Sequence, residues 1–385
     1  MDGRKNVLQH LEQKIQPKDK TIWVHCASLG EFEQGLPIIE QLKTNFTKHQ
    51  IIVTFFSPSG YEVKKNSTVA DVITYLPLDT KTNAHDFIKI IHPELAIFVK
   101  YEFWPNYLAE LKRQNIDTYL VSGIFREEQP FFKWHGKWMQ ESLKAFTHFF
   151  VQNNASKQLL QSISLTNTTV TGDTRFDRVL EILTRDNSLS FISEFKNNQT
   201  TIVYGSSWPE DEAIYLDSIN NSNTSTKHII APHNINKQHI EALKNNISKP
   251  VVLYSEMTDK NLTEYTVFII DTIGLLTKIY SYADIAFVGG AFKTGLHNTL
   301  EPAVFGVPII IGPKFQKFQE ATDLVNRKGI LVVNSKAEYQ TTIKHLENSE
   351  EERLTIGSIN RNYINEKAGA TATIMNSISR KKHAI

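Results

Sequence analysis

The sequence predicts an α/β protein built on two doubly wound parallel sheets. Short runs that are apolar throughout alternate with segments of helical periodicity, which is typical of parallel strands covered by helices on both faces. This alternation begins near residue 20 and begins again after the polar stretch 197–200. A chain of 385 residues has room for about two or three domains. We therefore expect two similar α/β domains in succession.

The first half of the chain contains four apolar runs that predict strands. After the first run, the segment SLGE at 28–31 forms a turn, and Leu36, Ile39 and Leu42 then recur at helical spacing. The second run ends at the turn SPSG at 57–60. The predicted strands are 22–25, 51–55, 95–99 and 118–122.

The second half predicts six more strands, at 201–204, 228–231, 251–254, 267–270, 285–288 and 308–311. From about residue 345 the chain is polar and has a helical pattern. We place an N-terminal domain at 1–175, a linker at 176–200, a C-terminal domain at 201–355 and a helical tail at 356–385. The tail could pack back on the N-terminal domain.

The composition excludes several classes of protein. Apolar residues make up 41% of the chain and charged residues 22%, which is ordinary for a globular protein. Lys and Arg number 42 against 41 Asp and Glu, so a globally basic nucleic-acid binder is not expected. One cysteine, Cys26, excludes an intramolecular disulfide and a cysteine-only zinc site. No run reaches the roughly 20 apolar residues that cross a bilayer, and the N-terminus lacks the apolar segment of a signal peptide, so we expect a cytosolic chain that could still lie on a membrane surface.

Two loops that follow predicted strands of the N-terminal domain carry candidate acidic residues. In the first loop, Gly30 permits a tight turn, and Glu31 could act as a general base or simply stabilise the helix dipole. In the second loop, Glu102 could bind sugar hydroxyls or orient an acceptor. Trp104 could be an apolar platform or a core residue, and Pro105 suits the first turn of a helix. Ligands of open α/β sheets bind beyond the carboxyl ends of the strands, so both loops are candidate sites.

A glycine-rich segment of the C-terminal domain runs from a predicted strand into a predicted helix. The amides of Gly289 and Gly290 could cradle a phosphate, although the spacing matches neither a P-loop nor a dinucleotide fingerprint. His297 and Glu301 are four residues apart and would share a helical face. His297 and Asn298 could donate to phosphate or sugar, and Glu301 could accept from ribose hydroxyls. The alternative is a capped helix start with Asn298 as the cap.

Aromatic and basic residues interleave between residues 125 and 150, with Trp134 and Trp138 among them. This mixture suits a membrane interface or an anionic amphiphile. It equally suits an amphipathic helix whose aromatic face lies in the core. Both interpretations are open from the sequence.

Metal chemistry and serine hydrolysis are not indicated. The sequence has no Asp-x-Asp pair after a predicted strand and no His-x-x-x-His or Glu-x-x-His spacing. It also lacks the Gly-x-Ser-x-Gly elbow of a Ser-His-Asp hydrolase.

Seven motifs stand along the chain in a definite order. They are VHCASLGE at 24–31, EFWPN at 102–106, VTGDTRFD at 170–177, DTIGLL at 271–276, ADIAFVGG at 283–290, HNTLEPA at 297–303 and FGVP at 305–308. Together they resemble the 3-deoxy-D-manno-octulosonic acid (Kdo) transferases of lipopolysaccharide assembly. The resemblance spans residues 20–345, and its specificity comes from the joint order of motifs that are individually weak.

The resemblance implies a glycosyltransferase of the GT-B fold, with two Rossmann-like domains facing across a cleft. It implies an N-terminal domain that binds the acceptor, a lipid A precursor of the lipid IVA type, and a C-terminal domain that binds the donor, CMP-Kdo. The implied reaction inverts the anomeric centre and uses no metal or other cofactor. The implied location is the cytoplasmic face of the bacterial inner membrane, with no nucleic-acid partner. The number of Kdo residues added and the oligomeric state stay open.

Residue roles follow from the same resemblance. Glu31 matches the catalytic base that deprotonates the acceptor hydroxyl, and Glu102 matches a second catalytic carboxylate on the acceptor side. Further acceptor-side candidates are Ser28, Gly30, Lys100 and Arg126. The candidates for donor binding are Ser206, Ser207, His233, Gly289, Gly290, His297, Asn298 and Glu301.

The chain also departs from the family pattern. The usual N-terminal apolar anchor is missing, so the chain would be trimmed or would dock peripherally on the membrane. Leu296 replaces a glycine, and Trp208 stands where the phosphate loop usually ends in histidine. The segment APHN at 231–234 lacks the usual arginine, which leaves His233 as the candidate donor contact there. Two other functions remain compatible with the sequence: a nucleotide-sugar epimerase of the same fold, and a non-catalytic nucleotide- or lipid-binding protein.

Overall fold

The chain folds into two compact units, and each is described by itself. The computed structural model describes residues 4–222, 225–293 and 295–383. The first unit comprises Met1–Arg178 and Lys367–Ile385, and the second comprises Val179–Glu366. Thr294, in the glycine-rich segment, lies outside the described residues.

In the described part of the first unit, seven strands form one parallel sheet. They are β1 (Lys20–His25), β2 (His49–Phe55), β3 (Val72–Tyr75), β4 (Pro93–Val99), β5 (Asp117–Gly123), β6 (His148–Val151) and β7 (Thr168–Val170). Their order across the sheet is β3-β2-β1-β4-β5-β6-β7, so β1 lies between β2 and β4, where the strand order reverses. The four strands predicted for this half are confirmed as β1, β2, β4 and β5.

Apolar layers cover both faces of this sheet. The helices of this part are α1 (Val7–Lys14), α2 (Leu29–Asn45), α3 (Pro58–Lys64), α4 (Lys81–Ile91), α5 (Pro105–Arg113), α6 (Lys137–Leu143), α7 (Asn154–Ser162) and α8 (Arg175–Leu180). Alternate residues of β1 point into opposite layers, with Trp23 in one and Ile22 and Val24 in the other. The prediction of strands buried on both faces is therefore confirmed, because each side chain of β1 after Lys20 is buried.

The second unit repeats this architecture, with seven strands in one parallel sheet among its described residues. They are β8 (Thr201–Ser207), β9 (Lys227–Pro232), β10 (Val251–Leu253), β11 (Val267–Ile269), β12 (Ile285–Val288), β13 (Ile309–Ile311) and β14 (Ile330–Val332). Their order is β10-β11-β9-β8-β12-β13-β14, so β8 lies between β9 and β12. The six strands predicted for this half are confirmed as β8 to β13.

The helices of the second unit are α9 (Ser190–Lys196), α10 (Pro209–Asn221), α11 (Lys237–Asn245), α12 (Leu276–Ile279), α13 (Leu300–Val304), α14 (Gln319–Asn326), α15 (Lys336–Asn348) and α16 (Glu350–Lys367). The first of them occupies part of the predicted linker 176–200. Its side chains Ile192 and Phe195 are fully buried. This helix is therefore a packed element of the unit, where the sequence analysis placed a connection.

Four strands were not predicted: β3, β6, β7 and β14. Each is only three or four residues long. β7 has the sequence Thr-Thr-Val, in which polar residues outnumber the apolar one. Length alone does not explain the four misses, because β10, β11 and β13 are also three residues long and were predicted. β7 lacks an apolar run, whereas β6 and β14 have one that the sequence analysis did not assign to a strand.

The last helix, α17 (Ala370–His383), belongs to the first unit. It adds three side chains to one apolar layer of that unit, Ile374, Met375 and Ile378. Asp177, from the motif VTGDTRFD, accepts hydrogen bonds from the backbone N–H groups of Gly369 at 2.6 Å and Thr371 at 2.7 Å. Its carboxylate thus satisfies free amides at the beginning of the helix.

Replacing Asp177 by Ala should loosen α17. The variant loses the acceptor for two backbone amides, and lost caps of this kind cost about 1–2 kcal/mol. We expect amides in 370–383 to exchange with solvent hydrogen about tenfold faster, as measured by hydrogen exchange and mass spectrometry. Asp177→Asn keeps one acceptor oxygen and should fall between the parent and Asp177→Ala. Equal exchange in all three proteins would contradict the capping role.

Candidate functional site

The loop after β1 places Glu31 in the first turn of α2. Ser28 is the N-cap residue, and its hydroxyl donates to Oε2 of Glu31. Glu31 is only 5% exposed, and a carboxylate at this position is favoured by the helix dipole. A Cβ built on Gly30 would meet nothing nearer than Oγ of Ser28, at 3.8 Å, so the backbone beside Glu31 stays open. The loop therefore presents a nearly buried carboxylate that is held through one of its two oxygens.

The loop after β4 begins beside the loop after β1, because the two strands pair in parallel. Lys100 turns the chain with a left-handed φ of 74°, and its Nζ lies 5.0 Å from the ring centroid of Tyr101. Trp104 is half-buried, and its Nε1–H donates to Oε2 of Glu102 at 2.9 Å. Helix α5 then starts at Pro105, as predicted. Trp104 thus acts as a hydrogen-bond donor to Glu102, a role that neither sequence interpretation included.

Glu31 and Glu102 both raise the pKa values of the same two neighbouring groups. Burial raises the pKa of the Cys26 thiol well above its ordinary value, and Glu31 and then Glu102 raise it further. Partial burial, followed by Glu31 and Glu102, also raises the pKa of the Tyr101 hydroxyl, and Arg126 opposes this shift. Glu31, Glu102 and Arg126 therefore all lie near the Tyr101 hydroxyl, on segments that follow β1, β4 and β5.

The aromatic and basic stretch divides into a buried and an exposed part. The buried part consists of phenylalanines in the core, Phe125, Phe131, Phe146, Phe149 and Phe150. Trp134 is 88% exposed and Trp138 is 67% exposed. A groove of about 500 Å³ lies between Pro105 and Ala109 of α5 and Trp138 of α6. The core interpretation is thus confirmed for the phenylalanines, while the two tryptophans face outward and the membrane interpretation stays a prediction for them.

In the second unit, Ser206 and Ser207 are the last two residues of β8. Ser206 is partly exposed and has a left-handed φ of 53°. Ser207 is fully buried, and its hydroxyl donates to Glu212 at 3.3 Å and accepts from Tyr215 at 3.1 Å. This hydroxyl is therefore paired inside the unit, and donor binding by Ser207 stays a prediction. Ser206 stays a candidate.

The glycines after β12 serve close packing of the backbone. The N–H of Gly289 donates to the carbonyl of Gly205 at 2.9 Å, and that of Gly290 donates to Oδ2 of Asp211 at 2.8 Å. A Cβ on Gly289 would lie 2.5 Å from the carbonyl oxygen of Ser206. The prediction that these two amides cradle a phosphate is therefore corrected, since both are paired within the unit and the glycines are needed for the approach of neighbouring loops.

Three aromatic rings stack beside these loops. The ring centroid of His233 lies 4.4 Å from that of Trp208 and 4.6 Å from that of His297, with interplanar angles of 24° and 26°. Trp208 Nε1–H donates to Nε2 of His297 at 3.1 Å. Burial, and then His233, lower the pKa of His297 to about 4. His297 is thus neutral at pH 7, and because its Nε2 accepts, its proton is on Nδ1.

Asn298 and Glu301 form the beginning of α13. Oδ1 of Asn298 accepts from the N–H of Leu300 at 3.0 Å, and Nδ2 of Asn298 donates to Oε1 of Glu301 at 2.9 Å. Oε2 of Glu301 accepts from the Thr277 hydroxyl at 2.8 Å. The prediction that His297 and Glu301 share a helical face is wrong, because α13 starts at Leu300 and His297 precedes it. The alternative of Asn298 as the cap is also wrong, because the N-cap residue is Thr299, although the Asn298 side chain accepts from the first helical amide.

Trp208 and Asp211 were not among the predicted site residues. Oδ2 of Asp211 accepts from the backbone N–H groups of Trp208, at 2.9 Å, and Gly290, at 2.8 Å. The sequence WPED at 208–211 carries the relevant pattern, with proline at the first helical position and an acidic residue at the third. That pattern predicts a helix start, but it does not predict that the carboxylate also binds the loop after β12.

Two further features concern the part of the chain that the structure describes. No group of three or more His, Cys, Asp or Glu side chains there is arranged to hold a metal ion. No helix there is both long enough and apolar enough to span a membrane.

Solved structures with the same architecture define the fold class. UDP-GlcNAc 2-epimerase from Neisseria meningitidis matches with a TM-score of 0.66 and 13% identity, over 94% of this chain and 100% of that one. MurG from Acinetobacter baumannii matches with a TM-score of 0.60 and 11% identity, over 94% and 99% of the two chains. Identities this low show the fold alone, and the fold is GT-B, as predicted.

Sequence relatives point to the same family as the motifs. The 3-deoxy-D-manno-octulosonic acid transferase of Rickettsia bellii is 27% identical over 336 residues, which cover 84% of this chain and 79% of that protein. The transferase of the same name from Haemophilus influenzae is 27% identical over 391 residues, covering 93% and 86%. The chain is thus similar, over most of its length, to proteins named as Kdo transferases. A family profile described as 3-Deoxy-D-manno-octulosonic-acid transferase (kdotransferase) matches residues 4–178, so the resemblance of the chain to that family is confirmed.

Replacing Trp208 by Phe should remove the preference of His297 for a single neutral tautomer. The ring remains available for stacking on His233, while the N–H that fixes Nε2 of His297 is lost. In ¹⁵N NMR spectra of labelled histidines at pH 7, we expect His297 protonated at Nδ1 in the parent and a mixture of both tautomers in Trp208→Phe.

His297→Gln assigns the signal, and Trp134→Phe, in the first unit, is the matched control. In the parent, the signal should titrate near pH 4, below the ordinary value of 6.5. The unfolded chain takes this proton at higher pH, so the stability that neutral His297 contributes is present above pH 6.5 and lost as the pH falls towards 4. An unchanged Nδ1–H tautomer in Trp208→Phe would contradict the assigned role of the indole.

Proposed function

We propose that the chain transfers Kdo from CMP-Kdo to a lipid A precursor of the lipid IVA type, an early step of lipopolysaccharide core assembly. The observation that carries this proposal is the Glu31 carboxylate, nearly buried at the carboxyl end of β1 in the segment that matches the Kdo transferase profile. Similarity to that family favours transfer over the epimerase and the non-catalytic alternatives. We expect inversion at the anomeric carbon.

Glu31 would be the general base. Its Oε2 is held by Ser28, so Oε1 would take the proton of the acceptor hydroxyl while that oxygen attacks the anomeric carbon of Kdo. The bond from this carbon to the CMP phosphate breaks on the opposite side, and CMP leaves as a phosphate monoester. Glu102, held by Trp104, would accept a hydrogen bond from another group of the acceptor and orient it.

The second unit would bind CMP-Kdo through neutral donors and one carboxylate. Nδ1–H of His297 is a fixed, uncharged donor that could stabilise charge on the departing phosphate without a metal ion. Glu301 is held by Asn298 and Thr277 and suits the hydroxyl pair of a ribose. Ser206, near the carboxyl end of β8, is a further candidate.

The outward-facing tryptophans suit a lipid acceptor presented at a membrane. The groove lined by Pro105 and Trp138 begins three residues after Glu102 and is bordered by Lys112 and Arg113. An apolar groove with basic neighbours fits acyl chains below an anionic headgroup. We therefore expect peripheral binding at the cytoplasmic face of the inner membrane, with Trp134 and Trp138 inserted into the interface.

Glu31→Gln should abolish sugar transfer while preserving the fold, because glutamine keeps the shape and the Ser28 contact but cannot accept the proton. We expect the parent to add Kdo to lipid IVA from freshly generated CMP-Kdo with EDTA present, as seen by mass spectrometry of the lipid. The variant should be slower by about 10²–10⁴-fold. Glu33→Gln, on the same helix, is the matched control and should retain activity. Full activity of Glu31→Gln, or loss of parent activity in EDTA, would contradict the proposed mechanism.

Replacing both Trp134 and Trp138 by Ser should weaken binding to vesicles of phosphatidylethanolamine and phosphatidylglycerol. Two exposed aromatic side chains would no longer enter the interface, and we expect affinity to fall about tenfold with little change in thermal stability. Ile273→Ser is the control, since Ile273 is also 84% exposed but lies in the second unit. Vesicle binding that survives the double replacement would rule out this membrane contact.

A further inference from the structure

A buried chain of polar side chains lies behind Glu102. Trp23 Nε1–H donates to Oγ1 of Thr54 at 2.8 Å, and Nδ1 of His25 lies 2.8 Å from the same oxygen. Nε2 of His25 lies 3.6 Å from Oε2 of Glu102. Trp23, His25 and Thr54 are all fully buried. The sequence analysis assigned none of these three residues a role.

The contacts fix where the protons are. An indole N–H can only donate, so the Thr54 oxygen accepts from Trp23. The Thr54 hydroxyl proton then has Nδ1 of His25 as its acceptor. A neutral imidazole that accepts at Nδ1 carries its proton at Nε2. The Nε2–H of His25 therefore points towards Glu102.

This Nε2–H is the unusual feature. Among the described residues, Nε2 of His25 is a fully buried atom that has no hydrogen-bond partner. The distance of 3.6 Å to Glu102 is too long for a hydrogen bond. A buried donor without a partner is costly, and phenylalanine or leucine would fill the same space without that cost. The ring nitrogen therefore needs an explanation other than packing, and the one carboxylate it faces supplies it.

We propose that His25 is a positioning residue that holds Oε2 of Glu102 from behind, through the Nε2–H tautomer selected by Thr54, so that Oε1 is presented to the acceptor. Trp104 holds the same oxygen from its other side at 2.9 Å. A shift of Glu102 by about half an ångström would bring its Oε2 to hydrogen-bond distance from Nε2 of His25. The inference rests on the proposed function for the role of Glu102.

The first test is a double-mutant cycle in Kdo transfer. His25→Phe removes both nitrogens and keeps the ring, and we expect kcat/KM for the acceptor to fall about tenfold while KM for CMP-Kdo is unchanged. In the Glu102→Gln background, the same replacement should cost less than twofold, because the group it positions is altered. His25→Gln, whose amide nitrogen can occupy the place of Nε2, should restore most of the loss. An equal loss in both backgrounds, with no rescue by glutamine, would show that His25 is only structural and would overturn the proposal.

The second test does not depend on activity. In ¹⁵N NMR spectra at neutral pH, His25 should carry its proton on Nε2, and Thr54→Val should convert it to a mixture of tautomers. Thermal unfolding of each variant checks that it folds. An Nδ1–H tautomer in the parent would overturn the proposal even if the transfer assay behaves as expected. If the parent shows no Kdo transfer but His25 has an Nε2–H tautomer that depends on Thr54, the proposed function is refuted. The buried chain of polar side chains would then still be established.

Discussion

The parallel pairing of β1 with β4, and of β8 with β12, is the constraint on which both candidate regions depend. In each sheet the earlier strand is flanked by strands whose connections leave in opposite directions, so the loops at its carboxyl end diverge and leave room for a ligand. Glu31 follows β1 and Glu102 follows β4, although 70 residues separate them in the chain, and His297 follows β12 near the end of β8. The apolar layers that bury these strands therefore also determine which polar residues meet.

Both units share a second feature: each candidate functional side chain accepts a hydrogen bond at one atom and has another atom available for a ligand. Ser28 holds one oxygen of Glu31, and Trp104 holds one oxygen of Glu102. Trp208 holds one nitrogen of His297. The donors are neutral. Because burial keeps the local dielectric constant low, each of these hydrogen bonds is stronger than it would be in water. Such hydrogen bonds orient the side chains in advance and reduce the reorganisation of the site when a ligand binds. This is the physical basis of preorganised electrostatic catalysis.

The sequence allowed the fold class, ten strands and the family to be predicted, because long apolar runs and ordered motifs are local properties. It did not allow the use of each motif to be predicted. Gly289 and Gly290 have the pattern of a phosphate loop, but glycine is equally required where two backbones approach closely, and only the structure shows that their amides are already paired. Trp208 departs from the family pattern because it stands where histidine is usual. Its hydrogen bond to His297 could not be predicted, because the two residues are 89 positions apart in the chain. Contacts between loops that are distant in sequence are set by sheet order, which a single sequence does not reveal.

The pairing of Asp211 bears on how a leaving phosphate would be stabilised. Helix N-termini that follow a glycine loop usually offer their amides to an anion. Here the carboxylate of Asp211 takes the amides of Trp208 and Gly290, so an internal anion already occupies that electrostatic position. Burial raises the pKa of this carboxyl, and the two amides oppose the shift, as expected when they stabilise its charged form. Under the proposed function, hydrogen-bond donors outside this loop must therefore stabilise the charge that develops on CMP. His297 is suited to that role, because its neutral Nδ1–H can donate without first losing a counterion or a proton.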